Sequence, residues 1–256
     1  MALTMQVAAT SETAASAEQA ARIDLAAAFR WTARLDLHEA VANHFSLALS
    51  EDGTRFLMNP RGRHFSRIRA SELLLLDAND PETMRRPEAP DPTAWCIHGR
   101  LHAKLPQARC VLHLHSKYAT VLASLQDSRL YPIDQNSMRF FERVAFDEAF
   151  EGMALDDAEG DRLAGLLGDK TVLMMGNHGV MVVAPSVAQA FDDIYYLERA
   201  CETQVLATMT GKPLRVAPDE VARRTAQQWI DYPDFAENHF AELKRILDEE
   251  EPDYRQ

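Results

Sequence analysis

Between about Glu18 and Asp36 the apolar residues Ala21, Ile23, Leu25, Ala28, Phe29 and Leu35 recur near helical spacing with no Gly or Pro among them, which predicts a helix. Residues 1–17 ahead of it are small and polar and are expected to be a flexible, frayed N-terminus. Phe45–Leu49 and Arg55–Met58 then flank Ser50-Glu51-Asp52-Gly53, and alternating apolar residues around an Asp-Gly turn predict a β-hairpin. Asn59-Pro60-Arg61-Gly62 is a second tight turn, and Ser71–Leu76 is a short apolar element. The proline-rich stretch 77–92 reads as a surface loop. Thr93 is a candidate N-cap for a helix to about Ala103, which Pro106 stops. Cys110–Leu114 reads as a buried strand, Lys117–Leu125 as a helix and Tyr131-Pro132-Ile133 as an edge or strand. Acidic residues 156–161 open a helix to Leu167, and the apolar run Lys170–Met175 is a strand ending at Gly176-Asn177-His178-Gly179. Val180–Val183 continues as a strand, Ser186 to about Thr208 is a long helix, and the acidic tail from Asp219 to Gln256 is helical.

Helices and strands alternate irregularly and include a hairpin, so an α/β layered fold with a mixed or antiparallel sheet is expected. No repeat or linker interrupts the pattern, and residues 18–256 are read as one domain. The chain has 256 residues, 46% hydrophobic and 26% charged, enough apolar content for a substantial core. Its net charge of −12 opposes a nucleic-acid surface, because phosphate binding needs clustered Lys and Arg. No run approaches the apolar length of a membrane span. The N-terminus has no basic stretch followed by an apolar block. The three cysteines, Cys96, Cys110 and Cys201, form no CxxC pair, which suits a reducing compartment. A cytoplasmic protein that engages neither membrane nor nucleic acid is the expectation.

The most informative segment is Val111-Leu112-His113-Leu114-His115. In a strand, side chains two apart share a face, so both imidazoles converge while Leu112 and Leu114 enter the core. Two histidines on an apolar strand are costly to bury without a strong partner, and a metal ion is such a partner. His178 follows a second buried strand in a Gly-flanked turn and is the candidate third ligand. Three nitrogens with no fourth protein donor describe a catalytic site with an open position. Zinc fits it; iron, manganese and cobalt fit the same donors. The competing reading is two satisfied strand histidines and an unrelated turn residue. His98 and His102, one helical turn apart, share a face and are candidate acid/base groups, ligands or packing residues. Glu198 and Glu202 form a similar pair, able to orient a histidine or to lie on an exposed face. His44 stands beside the hairpin, as a turn residue or a site residue.

With these residues in view, the chain resembles the class II aldolase/adducin family, in its bacterial adducin-like branch. The resemblance runs from about Asp24 to Leu206. It rests on Asn43-His44-Phe45-Ser46, Leu57-Met58-Asn59-Pro60-Arg61-Gly62, Phe65-Ser66, His98 to His102, Val111 to His115, Asn177-His178-Gly179 and Ala200 to Gln204, in that order, with a weaker match at Asp253-Tyr254-Arg255. It implies a three-layer α/β/α fold around a mostly antiparallel sheet, a homotetramer with sites at subunit boundaries, and a zinc site on His113, His115 and His178. It also implies that Asn43, Arg61, Gly62 and Thr93 contact substrate, and that His98, His102 or a neighbouring subunit's Tyr254 moves protons. The chain departs from the family's aldolases at Ala94, which stands where they carry an acid/base glutamate. Their phosphate-gripping Thr-Gly and Ser-Ser pairs correspond to Arg61-Gly62 and Pro92-Thr93. The implied activity is a metal-dependent carbon–carbon lyase, retro-aldol or decarboxylating, that acts on a small oxygenated acid or ketone through a metal-stabilised enolate. Alternatives on the same scaffold are a mononuclear iron oxygenase and a non-catalytic, adducin-like interaction module.

Overall fold

Alternation of side chains along short β-branched and aromatic segments builds one seven-stranded sheet and decides which face each residue serves. A computed structural model describes the backbone of residues 2–150, 152–232 and 234–256, with side chains from residue 15 onward in those ranges. The strands are β1 His44–Ala48, β2 Arg55–Met58, β3 Leu74–Asp77, β4 Cys110–Leu114, β5 Val144–Asp147, β6 Val172–Met175 and β7 Gly179–Ala184. They lie in the order β3-β2-β1-β4-β7-β6-β5. Every neighbouring pair is antiparallel except β5 with β6. The helices are α1 Ala2–Arg34, α2 Pro92–Lys104, α3 Lys117–Ala123, α4 Gln135–Met138, α5 Asp157–Leu167, α6 Val187–Met209, α7 Asp219–Ile230 and α8 Asp234–Glu250.

Two apolar clusters sandwich the sheet. On one face Phe45, Leu112, Leu114, Val180 and Val182 pack with Phe29 of α1, Leu122 of α3, Phe191 and Leu197 of α6, and Phe240 of α8. On the other, Val111, Leu173, Met181 and Val183 pack with Ile97 and Leu101 of α2 and Leu163 and Leu167 of α5. This is the three-layer α/β/α arrangement, with a mostly antiparallel sheet, that the motifs implied. No helix among the described residues is long and apolar enough to cross a membrane.

Several boundaries differ from the sequence reading. The first helix begins at Ala2 rather than near Glu18, and the side chains of residues 1–14, most of the segment expected to fray, lie outside the described residues. The N-cap of α2 is Asp91, whose carboxylate accepts from the Thr93 amide, so Thr93 is in the first turn. Tyr131-Pro132-Ile133 is not a strand. The Gln204 side chain replaces a ladder there, accepting from the Tyr131 amide at 2.6 Å and donating to Arg129 O at 2.7 Å. The half-buried β5 went unrecognised because its short run pairs with β6 only through the tertiary fold. Glu198 is buried, neither on an exposed helix face nor in touch with a histidine. Its carboxylate accepts from Ser116 Oγ at 2.7 Å, Tyr118 N at 2.8 Å and Ala119 N at 3.0 Å, capping α3 one residue after His115. Glu202 instead pairs with Arg199 at the surface.

Removing this carboxylate strands three donors in the interior. Glu198→Ala is therefore expected to lower the unfolding free energy by about 3 kcal/mol in urea melts, with Glu198→Gln falling between it and the parent. A loss under about 0.5 kcal/mol, the range of an ordinary surface change, would contradict this account.

Candidate metal centre

Strand β4 lies between β1 and β7, so His113 has a neighbour on each side. His44 is its cross-strand partner on β1 and Met181 its partner on β7. His115 lies one residue past the strand end. His178 comes from the three-residue turn Gly176-Asn177-His178 that joins β6 to β7. Asn177 takes φ 56°, a left-handed conformation that Asn tolerates better than most residues. Gly179 is required by closeness of backbone to backbone: a Cβ there would lie 2.4 Å from Leu114 O and 2.9 Å from His115 Cδ2.

This topology gathers one ligand-capable nitrogen from each of His113, His115 and His178 within 4.8 Å of one another. The ring centroids lie 4.8–5.0 Å apart. His113 Nδ1 lies 3.1 Å from Val180 O, and His115 Nδ1 lies 2.6 Å from the Glu39 carboxylate. Both acceptors orient their ring so that Nε2 faces inward, the usual support for a ligating imidazole. The two Nε2 atoms then stand 3.1 Å apart. Tetrahedral zinc with Zn–N bonds of about 2.0–2.1 Å separates its nitrogens by roughly 3.3 Å. Two neutral rings presenting lone pairs at this spacing repel unless a proton or a cation stands between them. Burial holds His113 well below the ordinary histidine range and His178 down to about 4, so both are unprotonated near pH 7, as ligation requires. The donor set fits a divalent cation.

Behind the triad runs a buried polar chain. His44 and Ser46 of β1 point to the same face as His113, and α2 lays His98 and His102 over them. His44 Nδ1 is 2.7 Å from His98 Nε2, and His98 Nδ1 is 2.5 Å from Ser46 Oγ. Ser46 Oγ is in turn 2.7 Å from His102 Nε2, and His102 Nδ1 is 2.6 Å from Ala108 O. His98 and His102 are thus buried and fully partnered, and neither joins the triad. Burial depresses His44 to about 3 and His102 to about 4, and holds His98 well below its ordinary value.

The remaining candidates divide. Asn43 is buried, and its Oδ1 accepts from the amide of Glu39, the residue that orients His115. Arg61 is largely exposed, with Nε 3.6 Å from Asp91, and Gly62 holds its turn at φ 73°. Thr93 donates to Asp91 from both its amide and its hydroxyl. The negative charge of Asp91 acts on His44 against the effect of burial. Tyr254 is brought nowhere near the triad. It is fully buried, its ring belongs to the core shared with α1 and α8, and its hydroxyl donates to Asp248 at 2.8 Å. In its own chain it is therefore a packing residue. Sequence reasoning missed Glu39, Ser46 and Asp91. Ser46 had a signal, since it shares a strand face with His44, whereas Glu39 is a loop carboxylate with none.

The sequence profile described as "Class II Aldolase and Adducin N-terminal domain" matches residues 23–205. The chain belongs to that family. A crystal structure of an aldolase II superfamily protein from Pseudomonas syringae superposes with a TM-score of 0.83 at 32% identity, covering 93% of this chain and 96% of that one. The decarboxylase NovR of Streptomyces niveus is 30% identical over 204 residues, 79% of this chain and 73% of its own. An L-fuculose 1-phosphate aldolase from Glaciozyma antarctica shares the fold, with a TM-score of 0.80 at 22% identity over 95% of this chain and 94% of its own.

The depressed histidines set a pH dependence for the metal-free protein. Between their folded values, about 3 for His44 and about 4 for His102 and His178, and the unfolded value near 6.5, the unfolded chain binds more protons. Stability is therefore full above about pH 6.5 and is lost as pH falls through 5 toward 4, by a few kcal/mol. Urea midpoints at pH 7 and pH 5 measure it. Equal midpoints, or a difference that His102→Gln leaves untouched, would refute the assignment.

Proposed function

We propose that this chain is a metal-dependent carbon–carbon lyase acting on a small oxygenated acid or ketone, with decarboxylation favoured over retro-aldol cleavage. The observation that supports it is the convergence of three imidazoles whose ligand-capable nitrogens lie within 4.8 Å of one another, with those of His113 and His115 3.1 Å apart, a spacing that suits a shared cation. A divalent ion held there, zinc first, with iron, manganese and cobalt compatible, supplies Lewis-acid stabilisation of charge developing on substrate oxygen. Val180 O and Glu39 keep the two strand histidines facing inward. Arg61, exposed and held only loosely by Asp91, is available to pair with a substrate carboxylate. Asn43, Gly62 and Thr93 shape the substrate side, while His98 and His102 act as positioning residues through Ser46.

Ala94 favours decarboxylation. It is 1% exposed and packs with Phe56 and Met58, so the place of the aldolases' glutamate is filled by core. Loss of carbon dioxide leaves the bonding electron pair on the substrate and needs no base to start, whereas aldol chemistry does. The likeness to a decarboxylase supports the same choice. The assembly carried over from the resemblance is a homotetramer, for which light scattering should return the mass of four chains.

Purified protein should carry close to one divalent ion per chain by elemental analysis, and His113→Ala and His178→Ala should lose it. Chelation should abolish release of carbon dioxide or aldehyde from a panel of 2-keto, 2-hydroxy and hydroxyketo acids, and one of the four metals should restore it. Stoichiometric turnover by thoroughly chelated enzyme would end this reading.

A further inference from the structure

Protons in the buried chain beneath the triad can run in one direction only, because its far end is a backbone carbonyl. Ala108 O can only accept, so the hydrogen of the 2.6 Å contact sits on His102 Nδ1. His102 is fully buried and neutral, which leaves its Nε2 a bare lone pair that must accept from Ser46 Oγ at 2.7 Å. A hydroxyl has one hydrogen. Having given it to His102, Ser46 must accept from His98 Nδ1 at 2.5 Å. His98, likewise buried and neutral, then presents Nε2 as an acceptor, and His44 Nδ1 must donate to it at 2.7 Å. The reverse direction would set a lone pair of His102 against a carbonyl oxygen at 2.6 Å in the protein interior.

Three hydrogen bonds and a carbonyl thus impose one tautomer on a residue at the triad: His44 carries its hydrogen on Nδ1 and keeps Nε2 as a lone pair. Among the described residues this Nε2 is the ring nitrogen of the chain left without a protein partner, and it is not one of the unpartnered polar atoms sealed from solvent. Its ring stacks on His113, with centroids 4.8 Å apart and planes 30° apart. A buried relay of this length has little purpose in packing, where an apolar pair would serve without the need to satisfy six polar atoms.

We propose that His44 Nε2 is a specificity-determining acceptor that takes a hydrogen bond from a hydroxyl of the bound ligand, so that the site selects small hydroxy acids and hydroxy ketones over their ethers. This deepens the metal-lyase reading and rests on it for where the ligand lies. A ligand without the hydroxyl leaves a desolvated nitrogen unpaired, which is the stronger source of discrimination.

Two measurements test it. Solid-state nitrogen NMR of metal-free protein labelled in histidine, with His44 assigned by its loss in His44→Phe, should show a protonated Nδ1 and an unprotonated Nε2. Calorimetry on the zinc-loaded protein should then compare glycolate with methoxyacetate. The preference for glycolate should be roughly two- to tenfold greater in the parent than in His44→Phe, which keeps a ring against His113. If His44→Phe does not fold, Ser46→Ala replaces it: the relay loses its direction, His44 becomes a mixture of tautomers, and the preference drops likewise. A hydrogen on His44 Nε2 in the parent overturns the proposal, and so does an equal preference in parent and variant. Failure to bind zinc sinks the lyase reading instead, and the NMR result still judges the tautomer.

Discussion

Six imidazoles, those of His44, His98, His102, His113, His115 and His178, cluster ring against ring at this sheet, and the interior around them makes each unpartnered nitrogen expensive. Much of the local architecture follows from meeting that demand. Val180 O and Glu39 hold the outer nitrogens of His113 and His115, while Ser46 and Ala108 O hold those of His98 and His102. With those nitrogens committed, the inward Nε2 atoms of His113 and His115 face each other, and a divalent cation is the natural way to relieve the opposition. Because burial keeps His113 and His178 neutral, these two can bind a metal without first expelling a proton.

The sheet order gives the centre its rigidity. β4 is flanked on both sides, and its neighbours each deliver a histidine to it, His44 across from His113 and His178 from the turn into β7. α3 starts just beyond His115 and is pinned by the buried Glu198, so the strand end cannot drift. A metal site built on strands and a three-residue turn holds its geometry better than one on long loops. Arg61 and its turn are exposed, and the 3.6 Å pair with Asp91 holds the guanidinium only loosely.

Ala94, at the place where the resemblance puts a glutamate in the family's aldolases, is accommodated by packing. Phe56, Met58 and Ala48 pack in one apolar cluster with the small side chain, and one helical turn further on the buried His98 joins the polar relay. The dense histidine relay takes up the ordering role that a charged group would otherwise have, and avoids burying a net charge.

Local pattern was enough for the elements that carry the three clustered histidines. The alternation in Val111 to His115 placed two imidazoles on one face of a strand, the apolar run ending at Gly176 placed the third in a turn, and the order of short motifs pointed to the family. The same local logic failed where long-range partners decide. Tyr131–Ile133 looks extended but is clamped by Gln204. Asp91 rather than Thr93 caps α2. Glu39 has no periodicity to betray it and becomes visible only when its carboxylate meets His115.

Strand and helix periods follow from backbone geometry, so which residues share a face, and hence that His113 and His115 act together, was determined by the amino-acid sequence alone. The meeting of His178 with them, the stacking of His44 on His113 and the one-way run of protons from His44 to Ala108 O were decided only by tertiary structure. These depend on sheet order and on the seating of α2, which arise from burial summed over the whole chain and not from any local run of residues.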